Sequence, residues 1–110
     1  MRLKYKKMIQ GLKRKAKQIR RRKGDPQWSL YILRCQDGTL YTGITNNLER
    51  RVKMHNAGTA SRYTRIRRPV ALLYQEGCVN RAQALIQECA VKAFSKVKKE
   101  EMIFSQHRKV

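Results

Sequence analysis

The stretch "WSLYILRCQDGTLYTGIT", residues 28–45, decides the fold that we predict for this chain. Aromatic and β-branched residues dominate its beginning, at about 28–34, and this composition is typical of a strand. Asp37 and Gly38 follow as the dipeptide that most strongly predicts a tight hairpin turn. Residues 40–45 supply a second strand of the same kind. We therefore expect an antiparallel hairpin here.

A helix is predicted directly after the hairpin. Asn46 and Asn47 are both natural N-cap residues for a helix over about 48–57, because their side chains can accept a hydrogen bond from the first turn. Gly58 ends that helix. The arginine-rich segment that follows, residues 59–68, is predicted to be a loop.

The rest of the chain completes a small mixed fold. A third strand is predicted at 70–78, a second helix capped by Asn80 at 81–96, and a short last helix at 98–106. The element order is β-β-α-β-α-α. This order predicts an α+β fold with a small three-stranded, mostly antiparallel sheet flanked by helices.

The inward face of the first helix is unusual, because half of its positions are not apolar. Leu48, Arg51, Val52 and His55 share one stripe, which must lie against the core. Arg51 and His55 are one turn apart on this stripe. An arginine that extends its head to solvent and a hydrogen-bonded boundary histidine are the ordinary interpretation. A functional pair at the edge of the sheet is the alternative, and Arg50 points elsewhere.

The hairpin carries two tyrosines and an unusual glycine. Folding the strands about a midpoint near residue 36 places Tyr31 nearly opposite Tyr41, to within one residue, with both phenols on one face. Ordinary core packing is one interpretation of this pair. Gly43 weakens a strand interior, and such a glycine usually marks a bulge or the close approach of another group.

The second helix carries one acidic residue beside its apolar positions. Ala82, Leu85, Ile86, Cys89 and Ala93 form the stripe that we expect to face the core. Glu88 lies at the edge of this stripe, where a carboxylate is costly unless it is paired or bound to a metal. Pairing with a nearby lysine and metal binding are both open. The other acids lie in the arm junction, the turn, a strand end, the outer helix surface and the lysine-rich tail.

Composition restricts the class of partner. The 110 residues include 27 Lys and Arg against 7 Asp and Glu, a formal net charge of +20, which indicates a polyanionic partner. Nucleic acid is favoured over a membrane surface, and no apolar run approaches the roughly 20 residues of a membrane-spanning helix. Cys35, Cys78 and Cys89 are an odd number at unrelated spacings. We expect reduced core cysteines in a cytoplasmic protein, with neither a disulfide nor a zinc site.

The first 26 residues form a basic N-terminal extension, distinct from a domain at 27–105. Residues 1–23 hold 12 Lys or Arg and no acid. Within them, Met8, Leu12, Ala16 and Ile19 keep a helical spacing. A solvated, disordered arm and a basic helix that becomes ordered on nucleic acid are both consistent with this pattern. A transit peptide is disfavoured, because the arm contains no serine.

The combination of tyrosine, arginine, histidine and a single glutamate suits phosphodiester hydrolysis. One carboxylate can hold a Mg²⁺ ion that keeps several waters. The metal polarises the phosphate, and an arginine offsets the charge that develops in the transition state. A phenol can act as the base when neighbouring positive charge depresses its pKa. Neither a glycine-rich phosphate loop nor a nucleophile-elbow serine is present in the sequence.

These residues fall into a pattern that resembles the GIY-YIG endonuclease superfamily, and its small single-domain bacterial members in particular. "SLY" at 29–31 stands in the place of the GIY triplet, and "YTG" at 41–43 stands in the place of YIG. "TNNLERRVKMH" at 45–55 matches the helix with the catalytic arginine and histidine. "ALIQE" at 84–88 matches the helix with the metal-binding glutamate. The departures are Ser29-Leu30 and Thr42, and they leave both tyrosines and the glycine in place.

The resemblance implies a role for each matching residue. Glu88 would bind one divalent ion, Mg²⁺ or Mn²⁺, and Arg51 would contact the scissile phosphate. His55 would assist in positioning or proton transfer. Tyr31 and Tyr41 would orient or deprotonate the attacking water, with Tyr31 favoured as the base. The basic residues expected to contact the nucleic-acid backbone are Arg50, Lys53, Arg62, Arg65, Arg67, Arg68, Arg20, Arg21 and Arg22.

Three functional hypotheses follow, of which the first is favoured. The protein is a metal-dependent endonuclease that hydrolyses phosphodiester bonds in DNA, acting in the cytoplasm and in association with the nucleoid. The alternative is a nucleic-acid-binding protein on the same scaffold with little or no cleavage. A third hypothesis is an RNA-directed role. Because a basic arm contacts phosphates without reading sequence, it fits all three equally well.

Overall fold

The structure is a computed structural model that describes residues 27–108. The prediction for residues 1–26, which includes Arg20, Arg21 and Arg22, lies outside this range. Within the described range the elements are β1 (Trp28–Arg34), β2 (Leu40–Thr45), α1 (Leu48–Ala57), α2 (Arg62–Arg65), β3 (Ala71–Cys78), α3 (Arg81–Lys92) and α4 (Lys96–Arg108). The predicted α+β fold with a three-stranded sheet is confirmed, and the sheet is antiparallel throughout, in the order β2-β1-β3.

The hairpin forms as predicted, but its register differs. Tyr31 pairs with Gly43, and Leu33 pairs with Tyr41, so the expected pairing of Tyr31 with Tyr41 is wrong. The reason is the loop, where the N–H of Cys35 donates to the carbonyl of Thr39 and places the midpoint at residue 37. Because the shift on the partner strand is two residues, both tyrosines still share one face of the sheet.

The central strand β1 separates two layers of core. Leu30 and Ile32 are completely buried on the face that α3 and α4 cover. Tyr31 and Leu33, the residues of opposite parity, lie in the second cluster with Leu48 from α1. This alternation is what the period of two in a strand requires. The two predicted site helices, α1 and α3, therefore lie on opposite faces of the sheet.

The bounds of α1 agree with the prediction. The side chain of Asn47 accepts a hydrogen bond from the N–H of Arg50 at 3.2 Å, which satisfies one donor of the first turn. Gly58 ends the helix with φ 82°, a left-handed conformation that glycine adopts without strain. Leu48 and His55 are its buried residues. A histidine therefore occupies a core position.

The segment predicted as a basic loop contains a short helix, α2. The hydroxyl of Ser61 caps it by accepting a hydrogen bond from the N–H of Thr64 at 3.1 Å. Thr64 is completely buried although its neighbours Arg62 and Arg65 are exposed. One turn is too short to show apolar periodicity, so only the serine cap indicated it in the sequence.

The predicted orientation of α3 is wrong. Its apolar stripe is exposed, with Ile86 at 71% exposure and Leu85 at 41%. The face that packs across the sheet instead carries Ala84 and Val91, both buried. The sheet fills the core with its own large side chains, so a face with a small residue at its centre allows α3 to lie close. The helix also ends at Lys92 rather than residue 96.

The prediction that the cysteines lie in the core is wrong for Cys89, which belongs to this exposed stripe. Cys35 and Cys78 are buried, free thiols, as expected. Cys89 is exposed, because it lies on the outer side of α3. None of the helices that the structure describes is long and apolar enough to cross a membrane.

The last helix, α4, closes the sheet along β3. It is longer than predicted, and its Ile103 is completely buried. Gln106 makes two hydrogen bonds with the backbone of Gln75: its side-chain oxygen accepts from the N–H at 3.3 Å, and its side-chain nitrogen donates to the carbonyl at 2.6 Å. The helix therefore satisfies part of the outward-facing edge of β3.

Candidate active site

Tyr31 lies at the centre of the candidate site, in the middle of β1. Its side chain is 2% exposed and crosses the backbone of Gly43 on the neighbouring strand. A Cβ atom at position 43 would lie 2.5 Å from Oη of Tyr31 and 2.6 Å from Cζ. No real Cβ contact is that short. The glycine is therefore required by the position of the phenol ring.

His55 of α1 links Tyr31 to α2 through two hydrogen bonds. Its Nε2 lies 2.8 Å from Oη of Tyr31, and its Nδ1 lies 2.8 Å from Oγ1 of Thr64. Oγ1 of Thr64 in turn lies 2.8 Å from Oγ of Ser61, which is partly exposed. A continuous hydrogen-bonded chain therefore runs from the buried phenol to the surface.

The imidazole of His55, which lies in the middle of this hydrogen-bonded chain, is neutral at physiological pH. Burial lowers the pKa of His55, and the guanidinium of Arg51 lowers it further, to about 4. Both ring nitrogens have partners, so the ring is held in one orientation. A neutral ring has one nitrogen with a proton and one without, and it can therefore pass a proton along the chain.

Tyr41 completes the aromatic wall of the site. Its ring centroid is 6.4 Å from that of Tyr31 and 5.0 Å from that of His55. Behind it, the ring of Tyr63 stacks at 6.0 Å, and the guanidinium of Arg67 lies 3.8 Å from the centroid of Tyr63. Tyr41 therefore packs against Tyr63 as well as against Tyr31 and His55.

Arg51 and Glu88 contribute opposite charges to the same site. Burial raises the pKa of Tyr31 above its usual range, and Tyr41 and the carboxylate of Glu88 raise it too. The guanidinium of Arg51 lowers it. Tyr31 is thus within electrostatic reach of one residue from each helix. Of the five residues that the sequence predicted for catalysis, Tyr31, Tyr41 and His55 are in direct contact. Arg51 and Glu88 act on Tyr31 through their charges.

The carboxylate of Glu88 is the candidate metal ligand. It is 20% exposed and lies 3.7 Å from Nζ of Lys92, one turn along α3. Within residues 27–108, no group of three or more His, Cys, Asp and Glu side chains is placed to hold a metal. A single carboxylate that solvent can reach fits a Mg²⁺ ion that keeps most of its waters. The sequence interpretation that paired Glu88 with a lysine also describes the contact seen here.

The predicted backbone-contacting residues of the domain are mostly exposed. Arg67 differs, because it is partly buried and its Nε donates to Asp37 at 3.0 Å. Its guanidinium also donates to the carbonyl of Tyr63 at 2.9 Å, so it fastens α2 to the hairpin turn. The other five residues of the domain that were predicted to contact the nucleic-acid backbone are exposed: Arg50, Lys53, Arg62, Arg65 and Arg68.

Three residues that contact the site were not found from the sequence. Ser61, Tyr63 and Thr64 all lie in the segment that was predicted to be a loop. The signal for Ser61 is its position three residues before Thr64, which is the spacing of an N-cap contact. A single buried threonine has no such signal, because its partner His55 is nine residues away in another helix.

Comparison with known proteins identifies the family. The model of the GIY-YIG catalytic domain matches residues 27–109. This chain therefore belongs to the GIY-YIG family, a family of nucleases, whose substrates are nucleic acids.

Bacterial relatives and a solved structure agree with this assignment. The chain is similar to "UPF0213 protein DP2720" of Desulfotalea psychrophila, with 48% identity over 79 residues, 71% of this chain and 72% of the relative. It is also similar to "UPF0213 protein OB0043" of Oceanobacillus iheyensis, with 42% identity over 84 residues, 76% of this chain and 98% of the relative. The solution NMR structure of EF2693 from E. faecalis aligns with a TM-score of 0.51 and 40% identity, covering 72% and 84% of the two chains.

Proposed function

We propose that this protein is a divalent-metal-dependent endonuclease that hydrolyses phosphodiester bonds in DNA, acting in the bacterial cytoplasm. The observation that carries the proposal is the buried pair of Tyr31 and His55, 2.8 Å apart, within electrostatic reach of Arg51 and Glu88. Side chains whose pKa values are strongly shifted by burial and nearby charge are concentrated at functional sites, and Tyr31 and His55 both have such shifts. The net charge of +20 supports a nucleic-acid substrate.

The donor and acceptor strengths of the groups determine which group donates at each hydrogen bond between Tyr31 and Ser61. A phenol O–H donates strongly, and a neutral imidazole nitrogen accepts strongly, so Tyr31 donates to Nε2 of His55. Nδ1 of His55 then carries the proton and donates to Oγ1 of Thr64. The hydroxyl of Thr64 donates to Ser61. The free lone pairs of the Tyr31 oxygen are left to face the substrate.

This direction allows Tyr31 to act as a base although burial raises its pKa. The phenol accepts a proton from the attacking water while its own proton moves to Nε2 of His55, so no free phenolate forms. The water oxygen forms a bond to phosphorus as the bond to the leaving oxygen breaks, and solvent protonates the leaving oxygen. A bound phosphate also neutralises Arg51, which removes one cause of the low pKa of His55.

Arg51 and Glu88 have different roles towards the phosphate. The guanidinium of Arg51 contacts the scissile phosphate and offsets the charge that develops in the transition state. Glu88 would hold one Mg²⁺ or Mn²⁺ ion, which when bound supplies Lewis-acid polarisation of the phosphate and stabilisation of the leaving oxygen. Lys92 must release the carboxylate for this, and a contact of 3.7 Å between partly exposed groups is weak.

A nuclease assay tests the proposal. Labelled duplex, nicked, branched and single-stranded DNA and the matching RNAs are incubated with the protein in Mg²⁺, in Mn²⁺ and in EDTA. We expect cleavage of at least one DNA substrate that requires the metal and that Glu88→Ala abolishes. Binding without cleavage of any substrate would support the alternative of a non-cleaving nucleic-acid-binding protein. Cleavage of RNA alone would support the RNA-directed role.

A further inference from the structure

An open surface groove lies between the end of α1, the end of α2 and the segment that leads into β3. Its volume is about 540 Å³, within the roughly 300–1,000 Å³ of ligand sites. The lining residues are Asn56, Arg65, Ile66, Arg68 and Pro69. Within the described range 27–108, no acidic side chain lines the groove. Two cations and two apolar side chains therefore border the same space, and a nucleotide needs both kinds of contact.

Ile66 gives the groove an exposed apolar side. Its side chain is 76% exposed, the highest value among the large hydrophobic residues that the structure describes. Its neighbours Arg62, Arg65 and Arg68 are all exposed as well. A second copy of this chain is a poor partner for such a surface, because both copies carry a net charge of +20. A nucleic acid with an unstacked base complements the surface in both respects, since it offers phosphate charge and an apolar face.

Hydrogen bonds hold the groove in shape. The side chain of Asn56 donates to the carbonyl of Val70 at 3.1 Å and accepts from its N–H at 2.8 Å. Nε of Arg68 donates to the carbonyl of Arg65 at 2.8 Å. The guanidinium of Arg65 makes no ion pair within residues 27–108. A groove that is already ordered binds a ligand at a lower entropic cost, and the cation of Arg65 is available for a phosphate.

The groove adjoins the candidate active site. Asn56 directly follows His55, and Arg65 directly follows Thr64. The 2.8 Å contact between His55 and Thr64 joins these two pairs. Asn56 also lies one turn and a half after Arg51 on α1, about 7.5 Å along the helix axis. Because one strand of a duplex rises about 3.4 Å per nucleotide, a strand that contacts Arg51 reaches the groove within a few nucleotides.

We propose that this groove binds one unstacked nucleotide of the substrate strand. Arg65 and Arg68 contact its phosphate, and Ile66 and Pro69 pack against the face of its base. Every base has such a face, so the contact tolerates any sequence. The inference concerns the nucleic acid proposed above as the substrate, and in that respect it rests on the proposed function. It adds Ile66, an uncharged residue, to the residues that bind the strand.

Binding of two single-stranded oligomers of equal length to the full-length protein tests the base contact. One is oligothymidine, and the other carries an abasic residue at every position, so both present the same phosphates. The measurements are made in EDTA, where metal-dependent cleavage does not occur. We expect tighter binding of oligothymidine, and we expect Ile66→Ser to reduce this preference about tenfold. Ile86→Ser is the matched control, because Ile86 is 71% exposed on α3, and it should keep the preference.

Arg65→Gln separates the phosphate contact from the base contact. It should weaken the binding of both oligomers alike and lower the slope of log affinity against log salt by about 0.7. The inference is overturned if the parent protein does not prefer oligothymidine, or if Ile66→Ser and Ile86→Ser lose the preference equally. A protein that shows the expected preference but cleaves no substrate would support the groove and contradict only the proposed endonuclease activity.

Discussion

Nδ1 of His55 lies 2.8 Å from the hydroxyl of Thr64, and both side chains are at most 1% exposed. This contact joins α1 to α2, a single turn in an otherwise basic segment. With Tyr31 donating to Nε2, as proposed above, Nδ1 is the nitrogen that carries the proton, and the hydroxyl of Thr64 accepts it. Thr64, a residue outside the proposed catalytic set, therefore supports the imidazole of His55.

Thr64→Val should change the tautomer of His55 with little change in shape. The variant keeps the volume of the side chain but leaves Nδ1 without a partner, which costs about 1–3 kcal/mol in a buried site. We expect ¹⁵N chemical shifts of the ring to move and the single-turnover cleavage rate to fall by about tenfold. Thr64→Ser, which keeps the hydroxyl, should retain the wild-type ring shifts and the wild-type cleavage rate. Unchanged ring shifts in Thr64→Val would contradict the assigned direction of the chain.

The buried imidazole should make stability depend on pH. The pKa of His55 is about 4 in the folded protein and 6.5 in a free peptide, so the unfolded chain binds the extra proton between these values. The contribution is complete above pH 6.5 and is lost as the pH falls towards 4, up to about 3 kcal/mol. Denaturant titrations at several pH values measure it, as the difference between wild type and His55→Gln. An equal dependence on pH in wild type and His55→Gln would contradict the prediction.

Glu88→Gln should abolish cleavage while leaving affinity for nucleic acid intact or slightly higher, because one negative charge is removed. The amide cannot replace a carboxylate as the ligand of a hard divalent ion. Glu49→Gln is the control, since Glu49 is paired with Lys53 on the surface of α1. Cleavage by Glu88→Gln at the wild-type rate, under metal concentrations that saturate the parent, would show that the metal site lies elsewhere.

Arg51 and Arg50 should have separable roles although they are adjacent in the chain. Loss of a cation that stabilises the transition state typically costs about 3 kcal/mol, or roughly a hundredfold in rate. Arg51→Ala should show this loss in single turnover at saturating enzyme. Arg50 is exposed on the other side of α1, so Arg50→Ala should weaken binding and leave the saturated rate unchanged. Equal losses of rate would rule out the proposed geometry.

Deletion of residues 1–23 should reduce the salt dependence of binding. The segment holds 12 cations, and if half of them each neutralise a phosphate, the slope of log affinity against log salt changes by about 5 on duplex DNA. Preference among sequences should change little, because phosphate contacts carry no sequence information. Affinity at four or five salt concentrations measures the slope for both proteins. An identical slope would show that the extension does not contact nucleic acid.

The sequence predicted the hairpin and α1 well, because their signals are local. The Asp37-Gly38 turn, the Asn47 cap and the Gly58 terminus each act over a few residues, and the structure uses all three. The strand register that positions Tyr31 and Tyr41 was harder to predict. Their shared face depends only on parity, whereas their pairing depends on the length of the loop, and a two-residue error changes the pairing without changing the face.

The orientation of α3 and the presence of α2 could not be predicted for a different reason. The periodicity of α3 identified its more apolar side, but the sheet selected the side with Ala84, which permits closer packing. Burial of Thr64 follows from its contact with His55, which only the tertiary structure creates. Glu88 was singled out as an acid beside an apolar stripe, and that stripe faces solvent. Its role as a metal ligand stays a prediction.

The two hydrogen bonds between Gln106 and the backbone of Gln75 give the sheet a definite end. A side-chain amide presents one donor and one acceptor, the same pair that a further strand would present to β3. Gln106 of α4 thus occupies the backbone N–H and carbonyl of Gln75, with which a strand of another molecule would otherwise pair. Copies of this protein can therefore lie close together without pairing of their sheets at this edge.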